Sequence, residues 1–161
     1  MYLIDTNIVI GAFNHRPRDI FESYWRQFDA FFSEGQFYFH QSVENELLKR
    51  DDEKSQWLRD FVPKTQILTQ TQEEVNSYRE VTQWVRARKD DPYKESAIRE
   101  FLSVADSWVV ASGHARSFTV ITNETPSPKK QTRVKLPDAA DGLGVQCMTE
   151  FDFLRQQSII F

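Results

Sequence analysis

The chain begins with an apolar run that ends in a carboxylate, and this feature constrains the fold more than any other. Tyr2, Leu3 and Ile4 lead directly into Asp5, and the polar pair Thr6-Asn7 follows. A short apolar run of this kind is typical of a buried strand in a parallel sheet. Because open α/β sheets bind ligands at the carboxyl ends of their strands, Asp5 is a candidate site residue.

Further along the chain, segments with strand character alternate with segments of helical periodicity, which indicates an α/β fold with a largely parallel sheet. We expect one domain over residues 1–161, with a polar helical insertion or arm at about 51–94. The predicted strands cover residues 2–5, 37–39, 118–122 and 145–148. The predicted helices cover about 19–33, 42–50, 54–61, 71–88 and 94–115, with short helices beginning near Asp138 and Thr149.

Charge leaves the partner open, while residue composition and spacing exclude several kinds of site. The net charge is -4, with 20 basic and 24 acidic residues, and this balance rules out no partner. Cys147 is the only cysteine, so no internal disulfide forms. The chain has no glycine-rich phosphate loop and no zinc-type spacing of cysteine and histidine. It also lacks an apolar run of the ~18 residues that a membrane span needs. We expect a cytosolic protein without a signal peptide.

Asp106 lies in an improbable place for a carboxylate. Ile98, Leu102 and Val109 share one stripe of the predicted helix, and Asp106 falls on or beside that stripe. Burying an ionised carboxylate is costly unless it is paired or bound to a metal. The structural alternative is that Asp106 caps a new helix that starts at Ser107.

Two glutamates complete a set of four acids. Glu46 borders the inner face of a helix marked by Val43 and Leu47, although a solvated helix acid paired with neighbouring cations has the same pattern. Glu124 follows the strand that ends at Thr122, and it thus repeats the strand-end position of Asp5. Alone it could be an ordinary loop acid. Clustered carboxylates suit Mg²⁺ or Mn²⁺, which prefer oxygen ligands and activate water toward a phosphodiester.

With these residues in view, the chain resembles the PIN-domain family of metal-dependent nucleases. Four segments carry the resemblance, and each contains one of the acids. They are Leu3-Ile4-Asp5-Thr6-Asn7, Ser42-Val43-Glu44-Asn45-Glu46-Leu47, Ala105-Asp106-Ser107-Trp108-Val109-Val110-Ala111 and Val120-Ile121-Thr122-Asn123-Glu124.

The resemblance implies a PIN-like three-layer α/β/α fold with a central, mostly parallel sheet and all four acids at one end. It implies that these acids are catalytic and bind Mg²⁺ or Mn²⁺, and that the protein cleaves RNA. Asn7, Thr6 and Thr122 would be supporting residues. The family usually has Asp where this chain has Glu124, which puts a second ion in doubt. The loop after Glu124 carries four cations: Lys129, Lys130, Arg133 and Lys135. These cations would contact RNA, or the loop would be simply solvated.

Small PIN domains of this kind resemble the VapC-type toxins of bacterial toxin–antitoxin pairs. The resemblance therefore implies an antitoxin protein as a partner. The aromatic helix over Ile20–Phe32 would supply an interface with a second copy in a homodimer or with a partner protein, although core packing explains most of its residues better. Two other functions stay open: a catalytically idle module that binds RNA or protein, and a nuclease that acts on DNA.

Overall fold

The computed structural model describes residues Met1–Phe161 and has a five-stranded sheet in which every neighbouring pair is parallel. The strand order is β3-β2-β1-β4-β5, so β1 is central. All carboxyl ends therefore meet at one edge, as predicted. The strands are β1 Tyr2–Ile4, β2 Phe37–His40, β3 Ile67–Leu68, β4 Thr119–Ile121 and β5 Cys147–Met148.

Nine α-helices surround the sheet, and a 3₁₀ turn spans Lys64–Gln66. None of them combines the length and apolar character that a bilayer-spanning segment needs. The helices are α1 Thr6–His15, α2 Glu22–Ser33, α3 Gln41–Leu47, α4 Glu53–Phe61, α5 Gln72–Ala87, α6 Glu95–Ser103, α7 Ala105–Arg116, α8 Leu136–Gly142 and α9 Glu150–Gln156.

One face of the sheet is covered by an aromatic layer from α2, α4 and α9. The buried α2 aromatics pack against Phe37 and Phe39 of β2, Trp57 of α4 and Phe153 of α9. Burying such a side chain contributes about 1.5–3 kcal/mol. The core interpretation of this helix is thus confirmed for five side chains: Tyr24, Trp25, Phe28, Phe31 and Phe32.

The other face is covered by α7, which packs against β2, β4, α5 and α8. Gly113 lets α7 approach the sheet, because an added Cβ would lie 3.0 Å from Val145 and 3.1 Å from Val120. Helices thus lie on both faces, and the three-layer α/β/α prediction is confirmed. The segment 51–94 that we predicted as an insertion contributes β3 to the sheet and α5 to this layer.

The predicted helix over 94–115 is interrupted at one residue, which is a correction with consequences for the site. Val104 has extended backbone angles (φ -112, ψ 175), so α6 ends at Ser103 and α7 begins at Ala105. The apolar stripe continues across the break and therefore gave no sign of it. As a result, Asp106 lies in the first turn of α7.

The sequence pattern also predicts a capping box at Thr71 and Glu74 and N-caps at Ser42 and Asp138, and the structure agrees with these only in part. Thr71 and Glu74 form the capping box. Ser42 is not a cap, because the Nδ1 atom of His40 accepts the Ser42 N–H at 3.1 Å and caps α3 instead. Asp138 is not a cap either, since α8 begins at Leu136. Its carboxylate accepts a hydrogen bond from the backbone of the preceding loop. The two-residue strand β3 was not predicted.

Candidate active site

A pocket of about 230 Å³ opens at the carboxyl edge of the sheet, and all four predicted acids line it. Asp5 follows β1, and Glu46 comes from α3 next to it. Asp106 comes from α7, and Glu124 lies beyond β4. The remaining lining residues are Thr6, Asn7, Ile10, Ala97, Glu100, Phe101, Val104, Arg133 and Val134.

Asp5 is nearly buried, with 3% of its surface exposed. Its Oδ2 atom accepts hydrogen bonds from the Thr122 hydroxyl at 2.7 Å and from the Asn7 side-chain amide at 2.6 Å. Burial raises the pKa of Asp5 to about 6, with smaller contributions from the negative charges of Glu124 and Glu46, while the hydrogen bond from Thr122 opposes the rise. The fold thus holds this carboxylate in one orientation, in a buried position that disfavours its ionised form.

Thr122 and Asn7 hold the Asp5 carboxylate through a connected set of hydrogen bonds. The Thr122 hydroxyl accepts from the Asn7 amide at 3.0 Å and from the Glu124 N–H at 3.1 Å. The Asn7 oxygen accepts the Asn123 N–H at 3.1 Å. Asn123 in turn accepts the Glu150 N–H at the start of α9. Sequence reasoning missed Asn123, whose position one residue after Thr122 was the only signal.

Glu46 connects two of the acidic segments. Its Oε2 atom accepts the Thr6 hydroxyl at 2.8 Å, and its Oε1 atom accepts the Ala105 N–H at 2.9 Å. The Ala105 amide is one of the first donors of α7, and such donors have no partner within their own helix. A carboxylate at this position is also favoured by the helix dipole. Glu46 therefore stabilises the start of the helix that carries Asp106.

Asp106 is the one acid of the four whose carboxylate makes no hydrogen bond or ion pair in the structure. It is partly buried in the first turn of α7. Burial raises the pKa of Asp106 to about 7, followed by the negative charges of Asp5, Glu124 and Glu46, while Arg133 acts in the opposite direction. Asp106 is therefore the carboxylate that is most available to a ligand.

Glu124 differs from Asp106 because three donors surround its carboxylate. Its Oε1 atom is 3.3 Å from Arg133 Nη2 and 3.2 Å from Lys135 Nζ. Its Oε2 atom accepts the Leu136 N–H at 2.9 Å. Two of the four cations predicted to contact RNA thus pair with Glu124, while Lys129 and Lys130 are exposed.

The donor set of the pocket suits a hard divalent cation. The side chains available are carboxylates, hydroxyls and an amide, which Mg²⁺ and Mn²⁺ accept and softer metals do not favour. Burial, and secondarily the neighbouring carboxylates, raises the pKa of Asp5 to about 6 and that of Asp106 to about 7, so the ionised forms of both are disfavoured unless a cation offsets their charge. In the present side-chain arrangement, however, no three His, Cys, Asp or Glu residues are grouped closely enough to hold an ion. Coordination would require rotation of side chains that now bond to protein donors.

Two solved structures are similar to this chain in fold. The crystal structure of FitAcB from Neisseria gonorrhoeae is 21% identical with a TM-score of 0.56, and the alignment covers 92% of this chain and 96% of that chain. The structure of FitAB bound to an IR36 DNA fragment is 20% identical with a TM-score of 0.54, and the alignment covers 92% of this chain and 94% of that chain. At this identity the similarity shows the fold alone, and it agrees with the predicted three-layer α/β/α architecture.

Among curated proteins, none matches the chain. The family described as "Domain of unknown function (DUF4411)" matches residues 2–161. Because this match spans almost the whole sequence, the chain belongs to the DUF4411 family.

Proposed function

We propose that the protein is an endoribonuclease that depends on Mg²⁺ or Mn²⁺ and acts as the toxin of a bacterial toxin–antitoxin pair. The observation that carries this proposal is the convergence of Asp5, Glu46, Asp106 and Glu124 on one pocket. No salt bridge or hydrogen bond occupies the carboxylate of Asp106. An uncompensated acidic pocket is difficult to explain as a structural element, because burying unpaired carboxylates destabilises a fold.

Each side chain has a distinct part in this function. Asp5, Glu46 and Asp106 would hold the cation, and Glu124, which the sequence analysis expected as a fourth ligand, lies beside them in the pocket. A bound cation would lower the pKa of a water molecule and offset charge on the scissile phosphate. Thr122 and Asn7 keep Asp5 in a fixed orientation. Lys129 and Lys130, which are exposed, would attract the phosphate backbone.

A cleavage assay tests the proposal. Purified protein is incubated with a cellular RNA pool in Mn²⁺ or Mg²⁺, and then with EDTA. We expect cleavage that EDTA abolishes and that Asp106→Asn lacks. Asp19→Asn is the matched control, because Asp19 is exposed and outside the pocket. Cleavage by Asp106→Asn at the parent rate would refute the assigned site.

The same assay distinguishes two alternative functions. The FitAB structure contains a DNA fragment, so RNA and DNA oligonucleotides of identical sequence should be compared side by side. Preferential cleavage of DNA would replace the ribonuclease proposal. The pairing of Glu124 with two cations favours a catalytically idle binding module as the other candidate. Oligonucleotide binding without turnover, at saturating metal, would support that candidate.

The proposed toxin would bind an antitoxin protein. The acidic pocket suits a partner that brings a cationic side chain to it, because opposite charges across an interface favour association. Co-expression with the product of an adjacent small gene, followed by the cleavage assay, tests this part of the proposal. Inhibition that co-purifies with the partner is the expected result. Light scattering of the isolated chain tests whether it forms the homodimer that the sequence analysis considered.

A further inference from the structure

Glu124 connects the two ends of the basic loop that spans residues 125–135, because its side chain contacts residues at the far end of the loop. Glu124 stands immediately before this loop, while Lys135 and Leu136 stand at its end. The two contacts at 3.2 Å and 2.9 Å therefore close the loop through a single carboxylate. Only 12% of the Glu124 side chain is exposed, so these contacts are shielded from water.

The body of the loop is held at several further points that do not involve Glu124. Both carboxylate oxygens of Asp138 accept the Ser127 N–H, at 3.1 and 3.0 Å. The carbonyl of Gln131 accepts the Lys94 N–H at 2.9 Å, and the Gln131 side-chain amide donates to Asp91 at 3.3 Å. Arg88 Nη2 also donates to the Pro128 carbonyl. The loop is thus an ordered element, and Glu124 determines how its last residues lie against the pocket.

Arg133 and Val134 are the loop residues that line the pocket, and Arg133 is the charged one. Its Nη2 atom is 3.3 Å from Glu124. Half of its side chain remains exposed, which leaves guanidinium donors free for a phosphate oxygen. Lys135 is only 20% exposed and is directed at Glu124, so it is not available to a nucleic acid in the same way.

The other three acids contrast with Glu124. Asp106 has no partner. Asp5 and Glu46 bond to neutral hydroxyl, amide and backbone donors. Because these donors are uncharged, a carboxylate can exchange one of them for a cation without separating an ion pair. Glu124 could bind a cation only by giving up two positively charged side chains and a backbone amide.

From these contacts we propose that Glu124 is a positioning residue that anchors the 125–135 loop and presents Arg133 to the substrate phosphate. The cation is held by Asp5, Glu46 and Asp106 without Glu124. The inference rests on the proposed function for its cation and substrate. Its structural part, the anchoring of the loop, is independent of catalysis.

Mn²⁺ binding and hydrogen exchange test the two parts separately. Mn²⁺ affinity is measured by calorimetry for the parent, Glu124→Gln and Asp106→Asn. Glu100→Gln is the matched control, since Glu100 is an exposed acid of the same pocket. We expect Asp106→Asn to lose at least about tenfold in affinity, as loss of a ligand does. Glu124→Gln should change affinity no more than Glu100→Gln, which removes the same charge.

Exchange of the Leu136 amide reports directly on the anchor. Because this N–H donates to Glu124, its exchange should become at least about tenfold faster in Glu124→Ala, which removes the acceptor oxygens, and stay unchanged in Glu100→Ala. Binding of a single-stranded RNA oligonucleotide in EDTA then shows whether Glu124 acts through Arg133. Glu124→Gln, Arg133→Ala and the double variant should weaken binding by similar factors.

Three results would overturn the proposal. The first is a loss of Mn²⁺ affinity in Glu124→Gln that equals the loss in Asp106→Asn. The second is an unchanged rate of Leu136 exchange. The third is an additive effect of the two loop substitutions on RNA binding. If the parent protein binds no Mn²⁺, the metal part of the proposed function fails, and the exchange and RNA-binding results still decide the role of Glu124.

Discussion

Replacing Asp106 by asparagine should stabilise the metal-free protein above neutral pH while it abolishes cleavage. The pKa of Asp106 is raised from 3.8 to about 7, first by burial and then by its acidic neighbours. A carboxyl group with a raised pKa binds its proton more tightly in the folded state. Its contribution to stability is therefore complete below pH 3.8, and it is lost as the pH rises through 7.

The magnitude follows from the size of the shift. A change of about 3 pKa units corresponds to about 4 kcal/mol. Asp106 is partly exposed, and solvent screening reduces this figure, so we expect a gain of about 2 kcal/mol in the free energy of unfolding. For a chain of this size that gain raises the Tm by about 4–8 °C. Asparagine has the same shape, and no hydrogen bond of the Asp106 carboxylate is lost.

The assay is thermal unfolding in EDTA at pH 8 and at pH 4. The Asp106→Asn variant should have the higher Tm at pH 8, and the difference should nearly vanish at pH 4, where the parent carboxyl group is protonated. Asp19→Asn should stay within about 0.5 kcal/mol of the parent at both pH values. A Tm at pH 8 that does not exceed the parent value would refute the electrostatic reasoning. An equal gain at both pH values would refute it as well.

Three further substitutions test the surroundings of the pocket. Thr122→Val should lower kcat by about tenfold or more, because a hydrogen bond to a charged group is worth about 1.5–3 kcal/mol. The acid limb of its pH–rate profile should also move to higher pH as the pKa of Asp5 rises, and an acid limb at the parent pH would contradict this. Gly142→Ala should destabilise the fold by about 1–3 kcal/mol, since the new Cβ would lie 2.0 Å from Trp84 Nε1; an unchanged denaturant midpoint would refute it. Burial, reinforced by the positive charge of Arg116, lowers the pKa of His40 to about 4, while the Glu74 carboxylate 3.3 Å from His40 Nε2 favours the protonated ring. The unfolding free energy should therefore fall between pH 6.5 and pH 4 by less than the ~3 kcal/mol of the full shift, and His40→Gln should lack this part of the loss.

The acids were predictable from sequence because their signal is local. Asp5 follows an apolar strand directly, and the parallel arrangement of strands brings strand ends together wherever the connecting helices run. The partners of these acids were not predictable in the same way. Thr6 reaches Glu46 across 40 residues, and Ala105 reaches it across 59. Such contacts depend on how the helices pack, which periodicity does not encode.

The break at Val104 and the role of the loop show the same limit. Val104 continues the apolar stripe, so the hydrophobic pattern predicts one helix where the structure has two. The loop after Glu124 has the composition of a solvated segment, with prolines and cations. Its order comes from contacts with Asp138 and Lys94, which lie on either side of it in the chain. A pattern of charges alone could not distinguish a cation that binds nucleic acid from one that pairs with Glu124.

The carboxylates that suit the pocket to a cation also weaken the metal-free fold. The shifts of Asp5 and Asp106 to about 6 and about 7 correspond to about 3 and about 4 kcal/mol before solvent screening, which reduces the figure for the partly exposed Asp106 to about 2 kcal/mol. Part of the two figures is the same mutual repulsion. Even the larger one is a considerable fraction of the ~5–15 kcal/mol that stabilises a typical domain. Asp5 and Glu46 already accept hydrogen bonds from neutral donors, while Asp106 has no donor. An incoming cation would therefore offset the most electrostatic cost at Asp106. Stabilisation by Mn²⁺ at pH 8 should therefore be largest in proteins that retain the Asp106 carboxylate.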